Sequence, residues 1–121
     1  MFPETSPDPL IGIVGPCGSG KSTLAAGLAS RGIRCRAIAQ EHSYVPAMWK
    51  LITKPDLLVF LEAAFETCTK RRRLNWERPE YQEQLRRLSH ASLHADLHIT
   101  TDRLTPGEVL QDVLDGLGLK A

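Results

Sequence analysis

Long apolar runs are missing from this chain. The clearest, Leu57–Leu61, has five residues, where a membrane-spanning helix needs about 20. No basic stretch followed by an apolar one opens the sequence, so no secretory leader is expected. An excess of one charge is missing too. Fifteen Lys and Arg stand against fourteen Asp and Glu, and the resulting balance offers no general attraction for nucleic acid or an acidic membrane. Cysteine is scarce: Cys17, Cys35 and Cys68 are an odd set without metal-ligand spacing. The expected setting is the reducing cytoplasm. Repeats and low-complexity tracts are absent.

What is present fits one folded domain, since 42% of 121 residues are apolar. Residues 1–9, with three prolines, read as a flexible arm, and 10–121 as the domain. Leu10–Val14 reads as a buried strand before a glycine cluster, and Lys21–Arg31 as a helix with Gly32 as its left-handed stop. Arg34–Ala39 alternates, placing Cys35, Ala37 and Ala39 on one face of a second strand. Val45–Ile52 reads as a short helix anchored by Met48, Trp49 and Leu51. Leu57–Leu61 is the third strand. Ala63–Leu74 is a helix with a Glu66–Lys70 pair, and Pro79 to about His94 another. Leu97–Thr100 is the last strand. Thr105-Pro106-Gly107-Glu108 caps a closing helix whose stripe is Val109, Leu110, Val113, Leu114 and Leu117. This alternation predicts a three-layer α/β fold, a parallel sheet with helices on both faces.

Gly15-Pro16-Cys17-Gly18-Ser19-Gly20-Lys21-Ser22 matches G-x-x-x-x-G-K-[ST], between a predicted strand and a predicted helix. Glycines let the backbone wrap an anion, and the N–H groups of Gly15, Cys17, Gly18, Ser19 and Gly20 can point inward as a nest. The helix start adds its positive dipole end. Lys21 is placed to reach the β- and γ-phosphates, Ser22 to ligate Mg²⁺, and Thr23 to lie near the α-phosphate.

These residues resemble the P-loop NTPase superfamily, and within it the small nucleotide and small-molecule kinases. Leu57–Leu61 with Glu62 is similar to the strand before the lid in such kinases. Lys70-Arg71-Arg72-Arg73 falls where their lid begins, making 70–94 a lid-like segment. Ala95–Asp102 and Leu104–Val109 look like their last strand and final helix. For the four strands read above, the resemblance implies a parallel sheet of order 2-1-3-4. It implies ATP and Mg²⁺ as ligands, and transfer of the γ-phosphoryl group to a small acceptor that the sequence does not specify. It also implies that the loop at Asp102 borders the adenine. The chain has one strand fewer than that group, and Gln40-Glu41-His42 where the group has an Asp. A non-catalytic nucleotide-binding module, acting through a partner or as a homodimer, is the alternative.

Glu41 ends the strand expected beside Leu10–Val14, where a carboxylate can take an acceptor proton or face the metal. Glu62 ends the other neighbouring strand and competes for that role. His42 can be a base, a ligand or a plain polar contact. Residues 70–87 hold seven of the fifteen basic residues. Successive helical side chains point about 100° apart, so one or two of Arg71, Arg72 and Arg73 can close over a γ-phosphate; Arg72 stands for that role. RNA binding is disfavoured, since Trp76 and Tyr81 alone supply little stacking surface. Tyr44, Met48 and Trp49 are either an acceptor pocket or rim packing. A redox role for Cys17 stays open. Thr53-Lys54-Pro55-Asp56 and Asp115-Gly116-Leu117-Gly118 mimic guanine-nucleotide motifs in the wrong places, so ATP is expected to bind at least as well as GTP.

Overall fold

The computed structural model of the protein describes residues 8–119; residues 1–7 of the expected arm lie outside them. Four strands form one parallel sheet: β1 (Ile11–Val14), β2 (Cys35–Ala37), β3 (Leu57–Glu62) and β4 (Leu97–Thr100). Their order is β2-β1-β3-β4, as expected. Ile11 pairs with Cys35 on one side and with Leu57 on the other. Val59 pairs with Leu97. The central strands β1 and β3 are continuous apolar runs because both their faces are covered.

One face carries α1 (Lys21–Ala29) and α5 (Pro106–Leu117). There Leu24, Leu28, Val109 and Val113 pack on Ile11, Ile13, Val59 and Leu61. The helix α5 starts in the expected capping box, Thr105 Oγ1 accepting from Glu108 N at 3.2 Å and Glu108 Oε1 from Thr105 N at 2.8 Å. Gly32 takes the left-handed conformation that stops α1, with φ +76°.

On the other face Val14, Leu58 and Phe60 meet Ile38, Trp49, Leu88 and Ala91. The helix expected from Pro79 to His94 is two: α3 (Arg78–Arg87) and α4 (Ser89–His94), joined at Leu88. Leu88 and Ala91 are fully buried. The far end of the lid-like segment is therefore core packing. Between β3 and α3 lies α2 (Phe65–Arg72), where Glu66 pairs with Arg78 across the turn instead of with Lys70.

Two expectations change between β2 and β3. The second strand is shorter than expected, Cys35–Ala37, with Cys35 half-buried against the core on the α1 side and Ile38 and Gln40 buried just beyond its end. Gln40 explains the departure: its buried amide accepts from Trp49 N and donates to Val45 O, both at 2.9 Å. Those bonds curl residues 40–42 into a 3₁₀ turn and end β2 early. Residues 49–53 then form one π turn, with Trp49 buried but Leu51 and Ile52 exposed, so Leu51 anchors nothing. Trp49 instead donates its indole N–H to His90 at 3.1 Å, which makes it packing and not acceptor pocket. Tyr44 is exposed beneath the Arg87 guanidinium.

Candidate functional site

β1 delivers the chain into the loop Gly15–Gly20, and α1 carries it away. At Gly18, φ is +86°, and a Cβ there would lie 2.6 Å from the Cys68 carbonyl oxygen. The loop thus packs directly on the backbone of α2. Gly20 caps α1 in the left-handed conformation, with open space around it. Both positions need glycine, one for contact and one for backbone freedom alone.

Lys21, in the first turn of α1, folds back over the loop. Its Nζ donates to Gly15 O at 2.8 Å and to Glu41 Oε2 at 2.8 Å. The Lys21 and Glu41 side chains are 12% and 5% exposed. Glu41 comes from the 3₁₀ turn after β2, and its second oxygen, Oε1, is buried without a donor. Ser19 Oγ is buried and unpaired as well.

Cys17 stands at the rim. Its N–H donates to Gln84 Oε1 at 3.0 Å, and Gln84 Nε2 donates to its sulfur at 3.3 Å. Gln84, on α3, is buried and holds the loop from the helical side. Sequence reasoning missed it, because glutamine in an acidic, basic and polar helix has no distinguishing pattern. His42 Nε2 lies 3.3 Å from the same sulfur.

Lys21, Ser22, Thr23, Glu41, His42 and Arg72 line a single cavity of about 440 Å³. A smaller cleft of about 130 Å³ shares Gly20, Thr23 and Arg71 with it and is walled by Leu24, Leu104, Pro106 and Val109. Charge lies on one side and apolar surface on the other, which suits the phosphates and the base of one nucleotide.

The arginines divide. Arg71 donates to Thr101 Oγ1 at 2.9 Å and Thr101 O at 2.5 Å, tying α2 to the end of β4. Arg72 lines the phosphate-side cavity beside Arg71. Asp102 does not turn its carboxylate toward the cleft. It accepts from Ala64 N at 2.8 Å and from Thr67 Oγ1 at 2.5 Å, at the start of α2. Burial works to raise the Asp102 pKa, but the Thr67 and Ala64 hydrogen bonds and the Arg71 charge together bring it below the usual value. Glu62 sits elsewhere, with His98 Nδ1 at 3.1 Å, beside a separate cavity of about 610 Å³ next to Pro16. Burial pushes the Cys68 thiol up to about 11, with Arg71 opposing.

Strand, glycine loop and helix, set at the carboxyl ends of a 2-1-3-4 parallel sheet, define a P-loop nucleotide-binding protein. A family profile described as an AAA domain matches residues 11–107, and the chain belongs to that family, within the P-loop NTPase superfamily. No curated protein matches it. Among the described residues, no helix is long and apolar enough to cross a membrane.

Proposed function

We propose that the protein binds Mg·ATP and transfers the γ-phosphoryl group to a small acceptor. The observation that carries this reading is the buried Lys21–Glu41 pair at 2.8 Å inside a cavity that Ser22 and Arg72 also line. Phosphate oxygens entering the loop compete with Glu41 for the Lys21 ammonium. When Lys21 turns to them, Glu41 is released as a buried carboxylate with room for a new partner. The residues fit a divalent cation: Glu41 Oε1 already lacks a donor, and the Ser22 hydroxyl opens on the same space. Mg²⁺ held there would neutralise charge on the phosphates.

The chain's own groups supply the rest. Loop amides and Lys21 hold the phosphates in line, and Arg72 offers donors to the equatorial oxygens. The acceptor oxygen bonds to the γ-phosphorus as the bond to the bridging oxygen breaks. The acceptor proton passes to Glu41, and ADP leaves. The base rests on Leu24, Leu104 and Pro106, an apolar wall in place of groups that would read guanine.

A screen for transfer of labelled γ-phosphate to nucleosides, nucleotides and small hydroxy compounds tests this reading. Turnover with an acceptor is expected. ATP binding without turnover on any acceptor or water overturns phosphotransfer and leaves the second reading, a nucleotide-binding module acting through a partner or as a homodimer. That reading is favoured by the small sheet, which has four strands.

A further inference from the structure

Three side chains with metal-binding atoms meet at the rim of the phosphate cavity, drawn from two separate stretches of chain. Cys17 comes from the glycine loop; Glu41 and His42 come from the turn after β2. The sulfur lies 3.3 Å from His42 Nε2 and 3.8 Å from Glu41 Oε2, and the last two are 3.7 Å apart. Zinc holds sulfur at about 2.3 Å and nitrogen or oxygen at about 2.0–2.2 Å. Tetrahedral ligands at those lengths stand roughly 3.3–3.6 Å from one another. The observed sides of 3.3, 3.7 and 3.8 Å come close to that size, the two to Glu41 being slightly longer.

We propose that Cys17, Glu41 and His42 form a site for a thiophilic divalent cation of the zinc class, distinct from the Mg²⁺ that accompanies a nucleotide. Glu41 Oε2, the oxygen that faces Cys17 and His42, already holds a cation, Lys21 Nζ at 2.8 Å, so the buried carboxylate is placed to receive positive charge. A thiolate and a carboxylate balance the dication's charge. Sulfur and imidazole select zinc-like ions, whereas Mg²⁺ takes oxygen ligands in octahedral geometry. The His42 side chain is 58% exposed, which opens a path for entry. Three protein ligands leave the fourth position for water or another donor, as in open zinc sites. Lys21 must draw back from Glu41 when the ion arrives, and Gly15 O, at 2.8 Å, already holds its ammonium.

An ion here engages Glu41 and pins Cys17 of the loop, so it competes with Mg·ATP; that consequence rests on the function proposed above. The site is tested on the full chain with Co²⁺ as a spectroscopic probe and Zn²⁺ by calorimetry. The parent and Cys35→Ser should bind one ion and show a thiolate-to-cobalt charge-transfer band. Cys17→Ser should lose the band. Cys17→Ser and His42→Gln should each weaken Zn²⁺ binding at least about tenfold. No band in the parent, or unchanged Zn²⁺ affinity in Cys17→Ser, overturns the site. Added Zn²⁺ should weaken Mg·ATP binding in the parent but not in Cys17→Ser. A parent that shows the band yet binds ATP equally well with zinc keeps the site and overturns the role given to Glu41.

Discussion

The Lys21 ammonium meets Glu41 Oε2 at 2.8 Å, with both side chains nearly removed from solvent. A cation that the loop needs for phosphate is thus stored on a carboxylate from the neighbouring strand end. Breaking a buried pair by removing one partner leaves the other charge without compensation. Lys21→Ala should therefore do more than abolish Mg·ATP binding. It should destabilise the fold by about 3 kcal/mol. The double variant Lys21→Ala/Glu41→Gln should recover most of that loss and none of the binding. Urea denaturation and calorimetry together check both halves.

Glu41→Gln alone separates chemistry from affinity. A group used in the transition state affects turnover more than ground-state binding. ATP affinity should stay within a few-fold, while any transfer rate falls about 10²-fold, the scale of a lost general base. Glu62→Gln, at the other strand end, should leave the rate intact. Steady-state turnover of the two variants beside the parent decides, and the reverse pattern would move the carboxylate role to β3.

Arg71 and Arg72 are adjacent, but they should behave differently. Arg71 ties α2 to Thr101 through charged hydrogen bonds. Arg71→Ala should cost about 2 kcal/mol of stability. Arg72→Ala, at an exposed position, should change stability by about 0.5 kcal/mol or less and lower the transfer rate. Denaturation midpoints and turnover provide the comparison.

Two loop glycines should answer differently to the same substitution. In Gly20→Ala the new methyl meets open space, so only left-handed strain opposes it, about 1 kcal/mol. In Gly18→Ala the methyl meets the Cys68 backbone at 2.6 Å as well. That contact should displace α2 from the loop and cost clearly more. Thermal unfolding of both variants tests the order.

Alkali should expose Cys68. Its folded pKa is raised to about 11 from 9.0 by burial. Its contribution is therefore complete below the unfolded value and is lost as pH climbs from about 9 toward 11. Stability measured across that window should decline less steeply in Cys68→Ala than in the parent.

Much of the site was legible because it is contiguous. From Gly15 to Thr23 the loop's function lies in its own backbone, so glycine spacing and a following helix suffice to locate it. Strand order followed from apolar runs and crossover rules, since β1 and β3 are covered on both faces. Glu41 could be suspected as a strand-end acid. Which of Glu41 and Glu62 lies against the loop lysine took three dimensions: Glu41 meets Lys21 and Glu62 meets His98. The end of β2 was not legible because Gln40, a polar residue, is buried just beyond it. Its amide satisfies backbone groups far along the chain, and alternation counts only apolar positions.

Residue order alone settled the phosphate loop and the capped closing helix, because each depends on neighbours within one or two turns of chain, and the parallel sheet, because its apolar runs alternate with helical segments. Folding decided the rest. It chose Glu41 over Glu62 as the partner of Lys21, tied Arg71 to Thr101 at the edge of the cavity that Arg72 also lines, and turned Asp102 toward α2. It also placed Gln84 and His42 against Cys17, residues 67 and 25 positions away. Such contacts depend on how helices pack across the sheet ends, and no local spacing encodes that packing.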